Sequence, residues 1–560
     1  MKRRISRRDL FRYGIVGLGS VALGGGSIYS LLSPESPIAR ASDKDRDRRR
    51  RRDREEDGDK DDDRGTPRFT PFLADLPIPP PPKEISEADF GVIRCAVPVL
   101  PGLKPPKFYE VRIKKNPDHE IIPGMKTEIW GYDGLYPGPT FKVKHNEPAI
   151  VRFHNDLDVE TIVHNHGGHT SSESDGSASV VPGQLIPPGQ SRDFCYPNIA
   201  PIINPMTGEQ DTNDFASTQW YHDHAPDITG ESVYRGLAGF YLLKDEVEQD
   251  LLDNNVLPNE KFDVPLVIQD RRIAGDGSLI YKPEEDDFDG WLGDVQVANG
   301  KAQPKFHVEP RKYRFRLLNG ANARWYTFRL TSGDFLQVAN DSWLLPEAVR
   351  RQTVRLAPAE RADVIIDFAG LTGSEVFLEN ILRQDDGRGP DELDDVVEGA
   401  GTRIVKFIVD QPLGPEPEAT VEAGNPLRDH TRIDVSEIKK TRRFVFERED
   451  GRWAINERFF DPNRDDARPI QGRAERWILE NDGGGWAHPI HIHLEAHQIQ
   501  SINGRPPAFH DSFKKDTVEL GPDDEAEIFI KFRTFRGRYV FHCHNLEHED
   551  MAMMAVFNVI

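Results

Sequence analysis

The residues that this sequence lacks exclude several classes of protein. It has 3 cysteines in 560 residues, too few for a disulfide-dense scaffold or for a zinc or iron–sulfur site built from four cysteines. Only one apolar run, near the amino terminus, approaches the length of a membrane-spanning helix, which excludes a polytopic membrane protein. The 72 basic residues are outnumbered by 94 acidic ones, so the net charge of −22 argues against sequence-independent binding to nucleic acid.

Residues 1–41 have the pattern of an export signal. A basic head with four arginines is followed by the Gly-rich apolar run Gly14–Leu32 and by small residues at Ala39 and Ala41. Residues 6–11, SRRDLF, resemble the motif read by the twin-arginine export machinery. We therefore predict an exported protein (periplasm, cell surface or extracellular) with no stable membrane association after cleavage. An uncleaved anchor is the alternative, but the run is short and rich in glycine.

A segment of unusual composition separates this signal from the rest of the chain. Residues 42–65 are almost all charged, and residues 66–83 are rich in proline. Such composition buries little apolar surface, so residues 42–83 are predicted to be disordered and the folded body to start near residue 84.

The body has the pattern of a β protein. Apolar and polar residues alternate in short runs such as Phe141–Lys144, Tyr313–Leu317 and Ala362–Phe368, and Gly, Pro, Asn and Asp separate the runs. This alternation is typical of strands with one buried face, and helical patterns are few. We predict an all-β fold of three sandwich or barrel domains of roughly 150 residues each, at 84–250, 251–425 and 426–560.

Ten of the 18 histidines form four clusters, and each cluster contains a His-x-His step. The clusters are His164-Asn165-His166, His222-Asp223-His224, His488-Pro489-Ile490-His491-Ile492-His493, and His542-Cys543-His544 with His548. On a strand, residues two apart point to the same face about 6.5–7 Å from each other, so such a pair can bind one metal ion or two adjacent ions. Imidazole suits copper, zinc, iron and nickel. The remaining eight histidines, including His169 and His497 beside the clusters, are expected to have structural or supporting roles.

The fourth cluster indicates which metal is bound. Cys543 lies between two histidines, with His548 five positions later and Met553 ten positions later. One thiolate, two imidazoles and a weak thioether form the ligand set of a blue-copper site, for which His488 is the candidate second imidazole. Zinc is the competing interpretation, but zinc does not usually recruit methionine and leaves the other histidines unexplained.

The four clusters, in this order and over residues 164–553, resemble the copper-binding motifs of the multicopper oxidases, the laccase family. The segments Tyr136–Thr140, Glu309–Arg316 and Leu356–Arg361 are similar to those of the branch that contains bacterial spore-coat laccases and bilirubin oxidase. This resemblance implies three cupredoxin-like Greek-key domains, the third of which carries the type 1 copper.

The resemblance also implies four coppers per chain: one type 1, one type 2 and a type 3 pair. The type 1 ligands would be His488, Cys543, His548 and the axial Met553. The type 2 ligands would be His164 and His491, and the type 3 ligands His166, His222, His224, His493, His542 and His544. The trinuclear cluster would then lie between the first and third domains.

The reaction implied by the resemblance couples four one-electron oxidations to the reduction of dioxygen to two waters. Its reducing substrate would be a small phenol or aromatic amine. Asp175 and Glu549 match acidic positions that supply protons in the family, and each would act as a catalytic residue.

Several alternatives remain open from the sequence. One is a metal-ion oxidase acting on cuprous or manganese ions, although the chain has only 6 methionines and no methionine-rich insert. Another is a copper-free exported scaffold, which the complete ligand set opposes. The sequence also leaves open whether Cys95 and Cys195 form a disulfide.

Overall fold

A computed structural model of the chain describes residues 65–449 and 451–560. The predicted export signal and the charged tract up to residue 64 lie outside the described residues. No helix within the described part of the chain is both long enough and apolar enough to cross a membrane.

The first domain consists of two sheets and a small hairpin. Its strands are β1 (Glu84–Ile85), β2 (Lys107–His119), β3 (Thr127–Tyr132), β4 (Phe141–Lys144), β5 (Ala149–Asn155), β6 (His164–His166), β7 (Ser191–Tyr196), β8 (Ile202–Asn204), β9 (Glu209–Gln210), β10 (Thr218–His222) and β11 (Ala238–Lys244). One sheet has the order β1-β2-β5-β7 with β3 on β2, the other has the order β4-β11-β10-β6, and β8 pairs with β9.

The second domain contains β12 (Asp263–Arg271), β13 (Val295–Ala298), β14 (Lys301–Ala302), β15 (Lys305–Val308), β16 (Lys312–Asn319), β17 (Tyr326–Leu330), β18 (Phe335–Asn340), β19 (Trp343–Arg351), β20 (Thr353–Leu356), β21 (Arg361–Asp367), β22 (Glu375–Asn380) and β23 (Thr402–Val409). They form a sheet of order β14-β13-β12-β16-β21-β18-β19 and another of order β15-β23-β22-β17-β20.

The third domain contains β24 (Ile438–Glu449), β25 (Arg452–Ile455), β26 (Ala474–Asp482), β27 (His488–Ile492), β28 (His497–Ile502), β29 (Lys514–Lys515), β30 (Thr517–Leu520), β31 (Glu525–Lys531), β32 (Gly537–Cys543) and β33 (Met554–Val559). Its sheets have the orders β25-β24-β26-β31-β28-β29 and β30-β27-β32-β33.

Each pair of sheets encloses a core, as the period of two predicts. On β4, Phe141 and Val143 are buried while Lys142 and Lys144 are exposed, and the buried pair packs against Val151 of the opposite sheet. The cores of the second and third domains likewise draw side chains from both of their sheets. The prediction of an all-β fold with sandwich domains is confirmed; the domain boundaries near 250 and 425 stay predictions.

Helices are short in the described chain. They are α1 (Glu87–Phe90), α2 (Ser172–Asp175), α3 (Thr229–Arg235), α4 (Glu246–Asp253) and α5 (Leu546–Asp550), with 3-10 turns at Thr212–Asp214, Glu260–Phe262, Pro283–Asp286, Val435–Glu437 and Phe509–Asp511. Helix α5 follows β32 directly and carries His548.

Residues 65–83 pack against the body, which corrects the prediction of disorder up to residue 83. The Leu76 side chain lies in the core of the second domain and is only 5% exposed. The backbone N–H of Phe72 donates to the Gln303 carbonyl at 2.8 Å, and that of Thr140 donates to the Pro80 carbonyl at 2.8 Å. Proline restricts the unfolded chain, so a proline-rich segment loses little entropy when apolar residues such as Leu76 anchor it.

A disulfide joins Cys95 to Cys195, the pairing that the sequence left open. Cys195 lies on β7, while Cys95 lies in the loop before β2, so the bond ties that loop to the first domain. Cys543 is the free cysteine of the described chain, and it is buried.

Strands of two sheets carry or directly precede the His-x-His steps of all four clusters. In the first domain β6 pairs with β10, and His164 stands opposite His222. In the third domain β27 pairs with β32, and His491 stands opposite His542. Cross-strand pairing therefore turns clusters that are distant in sequence into neighbours.

Candidate metal centre

Cys543, His488 and His548 bring one sulfur and two nitrogens together. The Cys543 Sγ lies 3.4 Å from the His488 Nδ1 and 3.5 Å from the His548 Nδ1, and the two Nδ1 atoms are 3.3 Å apart. All three side chains are fully buried. Three donor atoms this close together, one of them sulfur, form a set that suits a single copper ion.

Local structure places each member of this sulfur-containing group. Cys543 ends β32, and His488 begins the neighbouring strand β27. His548 lies on α5, whose first turn is capped by the Asn545 side chain. The buried Met553 is held between them by its backbone, because its carbonyl accepts from the Cys543 N–H at 3.1 Å and its N–H donates to the His548 carbonyl at 2.9 Å.

The burial of this group decides the protonation of its members. Burial lowers the pKa of His488 to about 3 and lowers the pKa of His548 well below its ordinary value, so both imidazoles are neutral ligands. Burial raises the pKa of the Cys543 thiol. The thiolate that binds copper would therefore need the positive charge of the ion beside it.

The other eight clustered histidines converge at the junction of the first and third domains. His166, His222 and His544 form one group and His224, His493 and His542 a second, with ligand atoms within 4.8 Å of one another in each group. His164 and His491 form a third group with His166. Every one of these rings is buried. The structure thus brings the predicted ligands together, and their division into a type 3 pair and a type 2 site stays a prediction.

Hydrogen bonds hold the outer nitrogens of these rings. The Nδ1 atoms of His164, His222 and His491 donate to the backbone carbonyls of Asp175, Asp223 and Asp516 at 2.6, 2.8 and 2.9 Å. This leaves the Nε2 atoms of the same three rings buried with no hydrogen-bond partner among the described residues. Buried polar atoms are rarely left so, and a bound metal ion would provide the missing partner. The residues present therefore fit copper.

The two predicted acidic residues lie beside these histidines. The Asp175 carboxylate accepts from the His493 Nδ1 at 2.9 Å and from the Ser177 hydroxyl. The Glu549 carboxylate lies 3.5 Å from the His224 Nδ1 and 3.3 Å from the His542 Nδ1. Burial raises the pKa of Asp175 and raises that of Glu549 well above its ordinary value, so each carboxyl binds a proton more readily than an exposed one.

Sequence reasoning missed other residues that contact the histidines. The Asp516 carbonyl accepts from His491, and its Oδ1 lies 3.2 Å from the His166 Nε2. The ring of Trp453 lies 4.2 Å from that of His548. Neither Asp516 nor Trp453 occurs in a repeated pattern, so no local signal could have identified them. His169 bonds to the Thr534 hydroxyl, which fits its expected structural role.

Comparison with known proteins supports the interpretation of this geometry. Two multicopper oxidase family models match residues 115–248 and 426–560. The chain is 34% identical to the bilirubin oxidase of Albifimbria verrucaria, over 88% of this chain and 82% of that protein. It is 33% identical to the laccase of Bacillus subtilis, over 83% of this chain and 98% of that protein.

Further relatives give the fold and widen the range of functions. The crystal structure of a laccase from Pediococcus acidilactici superposes with a TM-score of 0.72 at 28% identity, covering 88% of this chain and 95% of that one. The cell division protein FtsP of Dickeya dadantii is 30% identical over 84% of this chain and 93% of its own length. The sandwich domains, the convergent histidines and these relatives together show that the chain belongs to the multicopper oxidases and is a laccase-like oxidase.

Proposed function

We propose that the chain binds four coppers and couples the one-electron oxidation of phenols or aromatic amines to the reduction of dioxygen to two waters. The type 1 copper would be held by His488, Cys543, His548 and Met553. The observation that carries this proposal is the division of ten histidines and one cysteine into one sulfur-containing group and three nitrogen groups. His164 and His491 would hold the type 2 copper.

Bound copper would supply one-electron redox chemistry at the sulfur-containing group and dioxygen binding among the histidines. The chain supplies the connection between the two sites, because His542 and His544 are the peptide neighbours of Cys543. His542 belongs to one type 3 group and His544 to the other, so a short covalent path leads from the buried sulfur to both.

Proton supply is the second task of the chain. Because burial favours the protonated forms of Asp175 and Glu549, each side chain can hold a proton at a carboxyl oxygen close to a histidine. Glu549 faces the rings of His224 and His542, whereas Asp175 faces His493. We propose that both residues deliver the protons that the reduction of dioxygen consumes.

The choice of an aromatic substrate is supported by the relatives and by the surroundings of His548. Two relatives are a laccase and a bilirubin oxidase. The His548 Nε2 donates to the carbonyl of the partly exposed Asp289 at 2.9 Å. The half-buried Trp486 packs edge-to-face against Trp453 at 5.4 Å, and Trp453 covers His548. Aromatic rings at this position favour contact with an aromatic substrate.

Export remains part of the proposal. The twin-arginine signal predicted at residues 1–41 would place the enzyme outside the cytoplasm, and the Cys95–Cys195 disulfide is typical of an oxidising compartment.

Copper analysis and the visible spectrum of the purified protein test the proposal directly. We expect four coppers per chain, an intense blue band from the thiolate and a near-ultraviolet shoulder, and we expect Cys543→Ser to abolish the blue band. A copper-free protein without the blue band and the near-ultraviolet shoulder would refute the proposal. It would favour the alternative of a copper-free scaffold, a role consistent with the similarity to the cell division protein FtsP. Comparing turnover of a phenol with turnover of Cu(I) and Mn(II) then separates the laccase from a metal-ion oxidase.

A further inference from the structure

Arg361 of the second domain binds the aspartate that supports two of the clustered histidines. Its guanidinium donates to both carboxylate oxygens of Asp516, at 2.7 and 2.6 Å. Arg361 is fully buried, and Asp516 is 2% exposed. The pair thus joins the start of β21 to the short link between β29 and β30.

Asp516 in turn contacts histidines from two different domains. Its Oδ1 accepts from the His166 Nε2 at 3.2 Å, and its backbone carbonyl accepts from the His491 Nδ1 at 2.9 Å. The His166 Nδ1 is left buried with no partner in the described chain, and so is the His491 Nε2. Asp516 therefore decides which nitrogen of each ring is available to a metal ion.

The backbone around Asp516 is also held by the second domain. The Asp341 carboxylate accepts from the N–H groups of Asp516 and Thr517 at 3.0 and 3.2 Å. The Arg361 Nε donates to the Thr218 carbonyl at 3.2 Å, at the start of the strand that carries His222. A domain that contributes no histidine to the described metal-binding groups thus touches the strands of both domains that do.

An arginine suits this position better than any other residue. A buried carboxylate is unfavourable unless it is paired, and the planar guanidinium fits it with two parallel hydrogen bonds. Lysine would supply the positive charge but not the two parallel donors, so it would hold the carboxylate less firmly against His166.

We propose that Arg361 is a positioning residue for the copper cluster: through Asp516 it orients His166 and His491, and so sets the affinity of the type 2 site and of one type 3 site. The inference rests on the ligand assignment proposed above. Groups that orient metal-binding histidines typically change metal affinity by about 10–100-fold when they are removed. We therefore expect weakened copper binding at the type 2 site while the type 1 site, which Arg361 does not contact, stays intact.

The test compares Arg361→Lys and Arg361→Gln with the wild-type holoenzyme. Copper is withdrawn with increasing chelator, and the electron paramagnetic resonance signal of the type 2 copper is followed beside the blue absorption of the type 1 copper. We expect the chelator concentration that removes the type 2 signal to fall by about 10–100-fold for Arg361→Gln and by less for Arg361→Lys. The blue band should be unchanged in both variants.

Arg311 provides the matched control. It is also a buried arginine of the second domain, but its guanidinium binds Glu309 and the Gly414 carbonyl. Among the described residues it forms no hydrogen bond or ion pair with a clustered histidine or with Asp516. Arg311→Lys and Arg311→Gln should leave the type 2 signal as stable as in the wild type. Equal chelator resistance in the Arg361 and Arg311 variants would overturn the inference.

Arg361→Gln leaves the Asp516 carboxylate unpaired, so this variant can fail to fold. The double variant Arg361→Gln/Asp516→Asn replaces both members of the ion pair by neutral side chains, so it leaves no unpaired buried charge. It is used for the test if Arg361→Gln does not fold. It should still lose type 2 copper at lower chelator concentration than the wild type, and retention at the wild-type level would overturn the inference. The wild-type protein distinguishes failure of the ligand assignment from failure of this inference. If the wild type shows no type 2 signal, the ligand assignment is wrong. If the wild type shows the signal and the Arg361 variants hold their copper equally well, only the role of Arg361 is refuted.

Discussion

Cys543 is fully buried, although its proposed role requires a negatively charged thiolate. Burial raises the pKa of its thiol, and the two neutral imidazoles beside it carry no compensating charge. The positive charge that stabilises the thiolate would therefore have to come from the metal ion. Copper binding and deprotonation of the thiol would then occur together. At the scale of single residues, the apolar surroundings thus make a thiolate at Cys543 depend on a cation bound beside it.

The axial position gives a prediction about the type 1 potential. Met553→Leu should raise the potential, since a thioether donates more electron density to copper than a side chain that cannot coordinate. We expect a rise on the order of 59 mV, a tenfold change in a one-electron equilibrium, measured by redox titration of the blue band. Met554→Leu is the control, because Met554 packs in a separate cluster with Val540 and Val556. An unchanged potential in Met553→Leu would contradict the axial assignment.

Glu549 gives a prediction about turnover. Glu549→Gln keeps the shape of the side chain but cannot cycle a proton, so dioxygen consumption should slow by roughly 100-fold or more while the blue band is retained. Glu547→Gln is the matched control on the same helix, because Glu547 bonds to Tyr281 and Asn322 rather than to a histidine. Glu549→Gln turning over at the wild-type rate at every pH would remove Glu549 from the proposed proton supply.

At the scale of elements, helix α5 determines the position of two candidate site residues. It has five residues, follows β32 immediately and carries both His548 and Glu549. So short a helix has little stability of its own and depends on its cap and its packing. Asn545 supplies the cap, and its side-chain amide also donates to the Gly387 carbonyl of the second domain at 3.1 Å.

Removal of this cap should therefore affect both stability and the copper spectrum. Asn545→Ala should lower the stability by about 1 kcal/mol, the usual loss for a helix cap, and shift the blue band because His548 loses its fixed position. Urea unfolding and visible absorption measure the two effects. Asn259→Ala removes the cap of the turn Glu260–Phe262 and should affect stability alone. A blue band unmoved by Asn545→Ala would show that α5 does not depend on this cap.

At the scale of the whole molecule, the histidine groups depend on contacts between domains. The histidines of β6 and β10 meet those of β27 and β32 only because the first and third domains pack together. The second domain takes part through Arg361 and Asp341, and Arg355 joins it to Glu519 of the third domain with a bond at 2.9 Å. The site is thus a product of the assembled chain rather than of any one domain.

The disulfide acts at this scale because it closes a loop with a sequence separation of 100 residues. The double variant Cys95→Ser/Cys195→Ser should be less stable by about 2–5 kcal/mol, since the unfolded chain gains freedom when a long loop is released. Thermal unfolding should show a lower midpoint, while the blue band, which depends on the distant Cys543, stays unchanged. Equal midpoints for the variant and the wild type would contradict a stabilising role.

Much of this protein was readable from local sequence. The alternation at Phe141–Lys144 predicts a strand, and the His-x-His steps place two imidazoles on one face, because a strand repeats every two residues. The resemblance to the multicopper oxidases predicted which histidines would bind which copper. Membership of that family is confirmed. These features depend on neighbours in the chain, so local sequence is enough to specify them.

Other features depend on residues that meet only in the folded chain. Nothing in the sequence around Asp516 indicates that its carboxylate would lie between Arg361 and His166, which are 155 and 350 residues away. The packing of Leu76 against the second domain and the pairing of Cys95 with Cys195 are similar cases. The sequence thus determined the candidate donor residues and most of the strands that carry them. Tertiary structure decided which nitrogen each imidazole presents, because that choice depends on hydrogen-bond partners brought together by long-range packing.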